Sequence, residues 1–166
     1  MTAVETLQQV GEEIHLIESR SFTRAPIGEI VAYLKELRDR YGANEVYADS
    51  SHPFENEEVR NAGFEVTEVI FSQYKETGAS WLKHLFDTGR FKASPEFGEV
   101  KQQLKNWRRD KNGKIVKKDD HHCDALLAGT KKLDEMRGAT PAIISLSLRR
   151  RRGPSWMQRV VAGRTS

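Results

Sequence analysis

The chain has 166 residues, a length typical of one domain, and its 37% hydrophobic and 31% charged residues favour a folded globular protein over a disordered one. No apolar run approaches the roughly 20 residues needed to cross a bilayer, and the first 15 residues hold no Lys or Arg. We therefore expect neither a membrane span nor a signal peptide, and predict a cytoplasmic location. The only cysteine, Cys123, excludes an intramolecular disulfide and a thiolate-rich zinc site.

The net charge of +3 conceals an uneven distribution of charged residues. Residues 90–118 carry ten Lys or Arg against three acids, and residues 138–166 add six Arg and no acid. The rest of the chain holds eleven bases and twenty-one acids. This separation of sign indicates a polyanionic partner, although solvated surface faces would give the same pattern.

The first 42 residues predict a β-hairpin followed by a helix. Two strand-like runs, 3–10 and 14–18, flank a short turn-like break, and the second alternates apolar and polar residues. Apolar residues then recur at helical spacing between Pro26 and Tyr41. Pro26 is typical of a helix start, and Gly42 lies where a helix stop is expected.

Strands and helices alternate over the following residues, which predicts an α/β domain over 1–137 with a mixed sheet flanked by helices. The predicted elements are a strand at 45–49, a short helix ending near 63, a strand at 64–71, a helix at about 78–88, a strand at 90–93, a helix at 95–107, a hairpin or loop at 108–118, and a helix from 119 or 120 to about 136. Residues 138–166 contain an Arg run, Gly and Pro without sustained periodicity, and are predicted to form a flexible basic tail.

The densest group of potential ligands is the Asp-Asp-His-His-Cys-Asp run at 119–124, at the predicted start of the last helix. Asp120 and Asp124 are four residues apart and share a helix face, where two uncompensated like charges repel each other. A divalent cation would reverse that effect. The alternative is that Asp119 and Asp120 only cap the helix, which leaves Asp124 unexplained.

Asp49 ends a predicted strand, and open α/β sheets place ligands at that edge. Taken alone, an Asp there is more often a turn residue. Together with the 119–124 run it predicts a site for Mg²⁺ or Mn²⁺, two of which can clamp the attacking and leaving oxygens of a phosphodiester. Zinc bound by His121, His122 and Cys123 is less favoured, because consecutive helix residues point in different directions. Cys123 lies among acids and is predicted to be a packing residue.

The order of these elements, the VYAD strand at 46–49, the GRFKASPE segment at 89–96 and above all DDHHCDAL at 119–126 resemble the nuclease domain of phage terminase large subunits. The resemblance covers about residues 3–135. It implies a ribonuclease-H-like fold and a two-metal endonuclease that cuts concatemeric viral DNA at packaging. It also implies partners: double-stranded DNA, a terminase ATPase domain, a small terminase subunit and a portal, with no membrane.

By this resemblance the catalytic acids fall on Asp49, Asp120 and Asp124, and the metal ligands on these three with Asp119 and His121. One departure matters: the family's first metal-binding Asp lies on a strand before the hairpin, and Glu5, Glu12 and Glu13 match no such position. The first strand and the ATPase domain are expected to be missing. A non-catalytic DNA-binding or docking fragment and a stand-alone resolvase-like nuclease therefore remain alternatives.

The basic residues are expected to bind DNA through its phosphates, with little sequence preference and with strong salt dependence. The predicted DNA contacts are Lys101, Lys105, Arg108, Arg109, Lys111, Lys114, Lys117, Lys118, Arg149, Arg150, Arg151 and Arg152.

Overall fold

The computed structural model describes residues 1–116, 118–135, 142–149, 157–158 and 161–163. The strands are β1 (Thr2–Val10), β2 (Glu13–Phe22), β3 (Glu45–Asp49), β4 (Glu65–Val69), β5 (Phe91–Ala93), β6 (Ala142–Arg149), β7 (Met157–Gln158) and β8 (Val161–Gly163). The helices are α1 (Ile27–Tyr41), α2 (Pro53–Asn61), α3 (Phe71–Asp87), α4 (Gly98–Asn106) and α5 (His121–Glu135). Within the described part of the chain, none of the helices is both long and apolar enough to cross a bilayer.

These strands form one mixed sheet in the order β4-β3-β6-β8-β1-β2-β5, in which β6 also pairs directly with β1, and β7 pairs with β6. The β1–β2 hairpin is antiparallel, with a bulge between Thr6 and Leu7. β3 and β4 are parallel to each other, and β5 is parallel to β2. The predicted hairpin and α/β class are confirmed.

Two apolar cores lie on opposite faces of the sheet. On the first face, α1 and α2 cover the sheet, and Leu34 of α1 belongs to the same buried cluster as Val46 of β3. On the second face, helices α3, α4 and α5 do so, and Leu127 of α5 is buried in one cluster with Leu7 of β1 and Tyr47 of β3. Alternation along β3 thus sends neighbouring residues to different cores, which is the pattern of a sheet covered on both faces.

Helix α1 shows how local sequence signals set an element. It begins after Pro26 and ends at Gly42, whose φ of 69° is left-handed and whose N–H donates to the Arg38 carbonyl at 2.7 Å. The predicted start and stop are both confirmed.

Helix α3 begins at Phe71, seven residues before the predicted position. Gly78 interrupts the apolar spacing, yet it lies inside the helix where α3 approaches α5. A Cβ atom at this position would stand 2.7 Å from the Tyr74 ring and 3.1 Å from Leu127 Cδ2. The glycine therefore leaves room for the Tyr74 ring of its own helix and for Leu127 of α5, and does not mark a helix start.

The C-terminal region differs from the expected tail, because residues 142–149, 157–158 and 161–163 are strands. β6 lies between β1 and β3, antiparallel to the first and parallel to the second. Its sequence, AIISLSLR, alternates apolar and polar residues from Ile144 to Leu148, which is typical of a strand. The alternation is short, and the Arg run that follows it is more typical of a flexible tail. The rest of the predicted tail lies outside the described residues.

Candidate metal and nucleic-acid site

The first turn of α5 carries most of the predicted ligands. The helix starts where the Asp124 N–H donates to the Asp120 carbonyl at 2.8 Å. The side chains of Asp120 and Asp124 are buried, with 3% and 0% of their surface exposed. Asp119 precedes the helix with a φ of 50°, and its side chain is exposed. His121 is buried at the first helical position. The two buried acids are thus placed on one face, as their spacing predicts.

A lysine that the sequence did not single out lies between these two carboxylates. Lys75 Nζ of α3 is 3.2 Å from Asp120 Oδ2 and 2.8 Å from Asp124 Oδ1. The Lys75 side chain is itself only 14% exposed. With both acids ionised, this group carries one positive and two negative charges, a net charge of −1. The compensating cation that the Asp120/Asp124 spacing calls for is therefore supplied, in part, by an ammonium group.

Asp49 ends β3 as predicted and is buried. Its Oδ1 accepts a hydrogen bond from the Ser51 N–H at 2.9 Å, so one carboxylate oxygen performs the turn role considered above. Asp49 lies two residues beyond Tyr47, whose side chain is buried against α5. Because side chains alternate along a strand, Asp49 faces the side of the sheet on which α5 lies.

A second buried polar cluster joins the hairpin to α5. His122 Nδ1 makes a short hydrogen bond with Glu5 Oε1, and both side chains are almost completely buried. Ser19 Oγ donates to the same Glu5 oxygen at 3.1 Å. On the other side of the ring, Ser21 Oγ lies 2.9 Å from His122 Nε2 and donates to Glu99 Oε2 at 2.8 Å. These contacts tie β1, β2, α4 and α5 together.

The two acid–base partners shift each other's protonation. Burial raises the pKa of the Glu5 carboxyl above its ordinary value, and the hydrogen bond from His122 only partly opposes this. Burial would lower the pKa of His122, but the hydrogen bond and charge of Glu5, with help from Glu99, raise it above 6.5 overall. The contacts with Glu5 and Glu99 therefore favour the protonated imidazolium of His122 more than water does.

The hydrogen-bond pattern agrees with a protonated His122. An imidazolium donates from both ring nitrogens, to Glu5 from Nδ1 and to Ser21 Oγ from Nε2, and this leaves the Ser21 hydroxyl hydrogen for Glu99. The arrangement resembles a serine–histidine–acid triad in its distances. A protonated ring cannot accept the serine proton, so in this protonation state the cluster acts as a structural network and not as an activated nucleophile.

The basic segment after α4 forms the predicted hairpin-like loop. Arg109 and Ile115 are bridged, and the Asp110 side chain accepts the N–H groups of Asn112 and Lys114 around the left-handed Gly113. The predicted DNA contacts on this side that are exposed are Lys105, Arg108, Arg109, Lys111, Lys114 and Lys118, while Lys101 is partly buried. Lys117 and Arg150 to Arg152 lie outside the described residues, and Arg149 ends β6.

The sequence alone does not identify the Glu5–His122 pair or the role of Lys75, because the partners are distant in the chain. Glu5 and His122 are 117 residues apart, and Lys75 and Asp120 are 45 apart. One signal was available for Glu5: it lies on the same side of an apolar strand as the core residue Leu7, and a buried acid needs a partner. Cys123, in contrast, is buried as a packing residue, and its burial raises the pKa of the thiol.

The donor set suits a hard divalent cation in kind, since Asp49, Asp120 and Asp124 offer carboxylate oxygens on one face of the sheet. Among the described residues, however, no three His, Cys, Asp or Glu side chains are arranged as a ready metal cage. A metal at Asp120 and Asp124 would have to displace the Lys75 ammonium from between them.

Comparison with known proteins adds no relative. No protein-family model matches the sequence, no curated protein matches it, and no solved structure matches the fold.

Proposed function

We propose that this chain is a metal-dependent DNA endonuclease domain of the terminase kind, with a ribonuclease-H-like fold. The observation that carries the proposal is that Asp120 and Asp124 both contact the Lys75 ammonium group. They lie on the side of the sheet that Asp49, at the end of β3, also faces. Two-metal cleavage of a phosphodiester requires carboxylates near one edge of a sheet, and a strand end and a helix start are positions that can supply them.

Asp49, Asp120 and Asp124 would hold Mg²⁺ or Mn²⁺, with Asp119 and His121 as further candidate ligands. Such ions, when bound, stabilise the charge that develops on the attacking and leaving oxygens of the phosphodiester. The chain's own contribution is to desolvate Asp120 and Asp124 and to fix α5 on the hairpin through the Glu5–His122 pair. The exposed cations of the 101–118 segment would bind the phosphate backbone and orient the duplex.

The strand order bears on activity. In the sheet, the position between β1 and β3 is held by β6, whose sequence contains neither Asp nor Glu. The terminase family places its first metal-binding Asp on a strand that precedes the hairpin. The same observation favours a second candidate function, a DNA-binding or docking fragment that does not cut.

Cleavage of supercoiled plasmid DNA in Mn²⁺ tests the proposal. We expect weak or no nicking by the 166-residue chain. Strong nicking is expected from a longer polypeptide in which an Asp-bearing strand precedes Thr2 and replaces β6 between β1 and β3. In that polypeptide, Asp49→Asn or Asp120→Asn should abolish cleavage while Asp39→Asn, an exposed acid on α1, should not.

A longer polypeptide that binds DNA but leaves it intact would overturn the nuclease proposal and support the docking fragment. Nicking by the chain alone at the rate of the longer polypeptide would show that the site needs no additional acid. By the same resemblance, the proposed protein partners are a terminase ATPase domain, a small terminase subunit and a portal.

A further inference from the structure

A cavity of about 320 Å³ opens beside the basic loop, on the side of α3 that faces the end of α4. Leu82 and Leu104 line its apolar interior, and the aromatic rings of Phe86 and Trp107 line it as well. Phe86 is 39% exposed, and its ring also packs against Phe91, with the ring centroids 4.7 Å apart. The volume is at the lower end of the range of small-ligand sites, which begins at about 300 Å³.

The walls of this cavity also carry three cations. Lys83, Arg108 and Arg109 contribute to its lining. Lys83 pairs with Asp87, and Arg109 Nη1 lies 2.6 Å from Glu76 Oε2, a contact that fastens the loop to α3. Arg108 is exposed and forms no ion pair with any carboxylate of the described residues. One cation therefore stands beside an aromatic cavity with its charge available to a ligand.

We propose that this cavity takes up an unstacked base of single-stranded DNA. Rings of Phe86 and Trp107 would contact the face of the base, and the Arg108 guanidinium would bind an adjacent phosphate. Base-on-aromatic stacking combined with a neighbouring cation is how proteins hold single strands without sequence preference. The inference rests on the proposed DNA substrate, and it adds that the chain binds a locally unpaired strand through its bases.

A base of an undistorted duplex cannot enter this cavity, because the bases are stacked inside the helix. A duplex presents only its phosphates and groove edges to a protein. The exposed lysines of the 101–118 segment would contact the phosphates of a duplex. An apolar, aromatic cavity among them adds nothing to phosphate binding. The aromatic lining is therefore the feature that distinguishes single-stranded from double-stranded DNA here.

Fluorescence anisotropy with a labelled oligothymidylate of about 12 nucleotides tests the proposal, since single-strand sites span roughly 4–16 nucleotides. The comparison is an abasic oligonucleotide with the same length and charge. The measurement is made in EDTA, so that it requires no cleavage. Wild-type protein should bind the oligothymidylate at least about fivefold more tightly than the abasic strand.

Substitutions in the cavity test which residues produce the preference for the base-bearing strand. Phe86→Leu keeps the apolar wall but removes the aromatic face, and should abolish the preference for the base-bearing strand. The matched control Phe54→Leu changes a phenylalanine that is 80% exposed on α2, and should retain the preference. Arg108→Gln should weaken binding of both strands by more than Lys105→Gln, which changes an exposed cation on the same segment but outside the cavity.

Equal affinity of the wild-type protein for both strands would overturn the inference, because phosphates alone would then explain binding. An unchanged preference in Phe86→Leu would do the same. This outcome is separable from the fate of the nuclease proposal. Base-dependent binding without cleavage by the longer polypeptide contradicts only the nuclease activity, and cleavage without base-dependent binding contradicts only the role of the cavity.

Discussion

Two charged clusters meet at the first turn of α5, and they are built differently. On one side, Lys75 lies between Asp120 and Asp124, with an excess of negative charge. On the other side, His122 is held by Glu5, with hydroxyl groups at both ring nitrogens. Asp120 and Asp124 are each two residues from His122, a rotation of about 200° around the helix axis, so the clusters occupy different sides of α5.

The two clusters differ in role: the His122 cluster holds a helix in place, and the Lys75 cluster is the proposed metal site. The His122 cluster connects β1, β2, α4 and α5, and the His122 N–H also donates to the Gln103 side chain at 2.9 Å. It holds the end of α5 in place. In the Lys75 cluster two buried carboxylates contact one ammonium group that comes from another helix, and a metal ion could take the place of that group. We therefore propose that the metal binds at the Lys75 cluster and that the His122 cluster holds α5 in place.

Removal of His122 should have the largest effect on stability. His122→Ala leaves Glu5 buried without its partner, and breaking a buried ion pair from one side costs about 3–5 kcal/mol of unfolding free energy. Urea denaturation measures the change. His84→Ala, at an exposed position of α3, is the control and should cost much less. A loss no larger than that of the control would show that the His122 cluster does not hold α5.

Replacing Lys75 with a neutral residue should have the second-largest effect on stability. It should also show how the two clusters differ. Lys75→Met leaves two buried carboxylates without their cation, and should lower the unfolding free energy by roughly 3 kcal/mol. Added Mn²⁺ should restore more stability to this variant than to the wild-type protein, because the ion no longer competes with the ammonium. Lys83→Met, at an exposed position of the same helix, is the control. An identical response of wild type and Lys75→Met to Mn²⁺ would contradict the exchange of cations.

Gly78→Ala tests the packing that brings Lys75 to α5. The added methyl would meet the Tyr74 ring and Leu127, and overpacking of this kind costs about 1–3 kcal/mol. Gly98→Ala, in the first turn of α4, meets nothing within 4 Å and is the matched control. Chemical denaturation of the two variants compares them. Equal stability of both would mean that α3 can move away from α5 freely.

The pH dependence of stability should come from the His122 cluster. Because the folded-state pKa of His122 is raised above 6.5, its contribution is fully present below pH 6.5 and is lost as the pH rises through the folded value. The raised pKa of Glu5 acts in the same direction, but its window begins at the ordinary value of pH 4.5. From His122 the unfolding free energy should fall above pH 6.5 by at most about 1.4 kcal/mol per pH unit. His122→Gln should flatten this dependence, and an unchanged profile would contradict the protonated pair.

Local sequence patterns predicted the helices and strands better than they predicted the Lys75 and His122 clusters. The α1 boundaries followed from Pro26 and Gly42, and Asp120 and Asp124 share a face because of their spacing alone. Lys75 was not predictable, since only the close approach of α3 to α5 at Gly78 gives it two acidic partners. The alternation from Ile144 to Leu148 is typical of a strand, but the position of β6 between β1 and β3 depends on tertiary pairing that this short sequence does not specify.

Divalent-metal binding by the unmodified chain tests the central claim most directly. Electron paramagnetic resonance of free Mn²⁺ measures how much metal the protein takes up. We predict weak single-site binding that Asp120→Asn abolishes, that Lys75→Met strengthens, and that Asp39→Asn leaves unchanged. Binding that is equal in the Asp120→Asn and Asp39→Asn variants, or absent from both the wild type and Lys75→Met, would contradict a metal site at the start of α5.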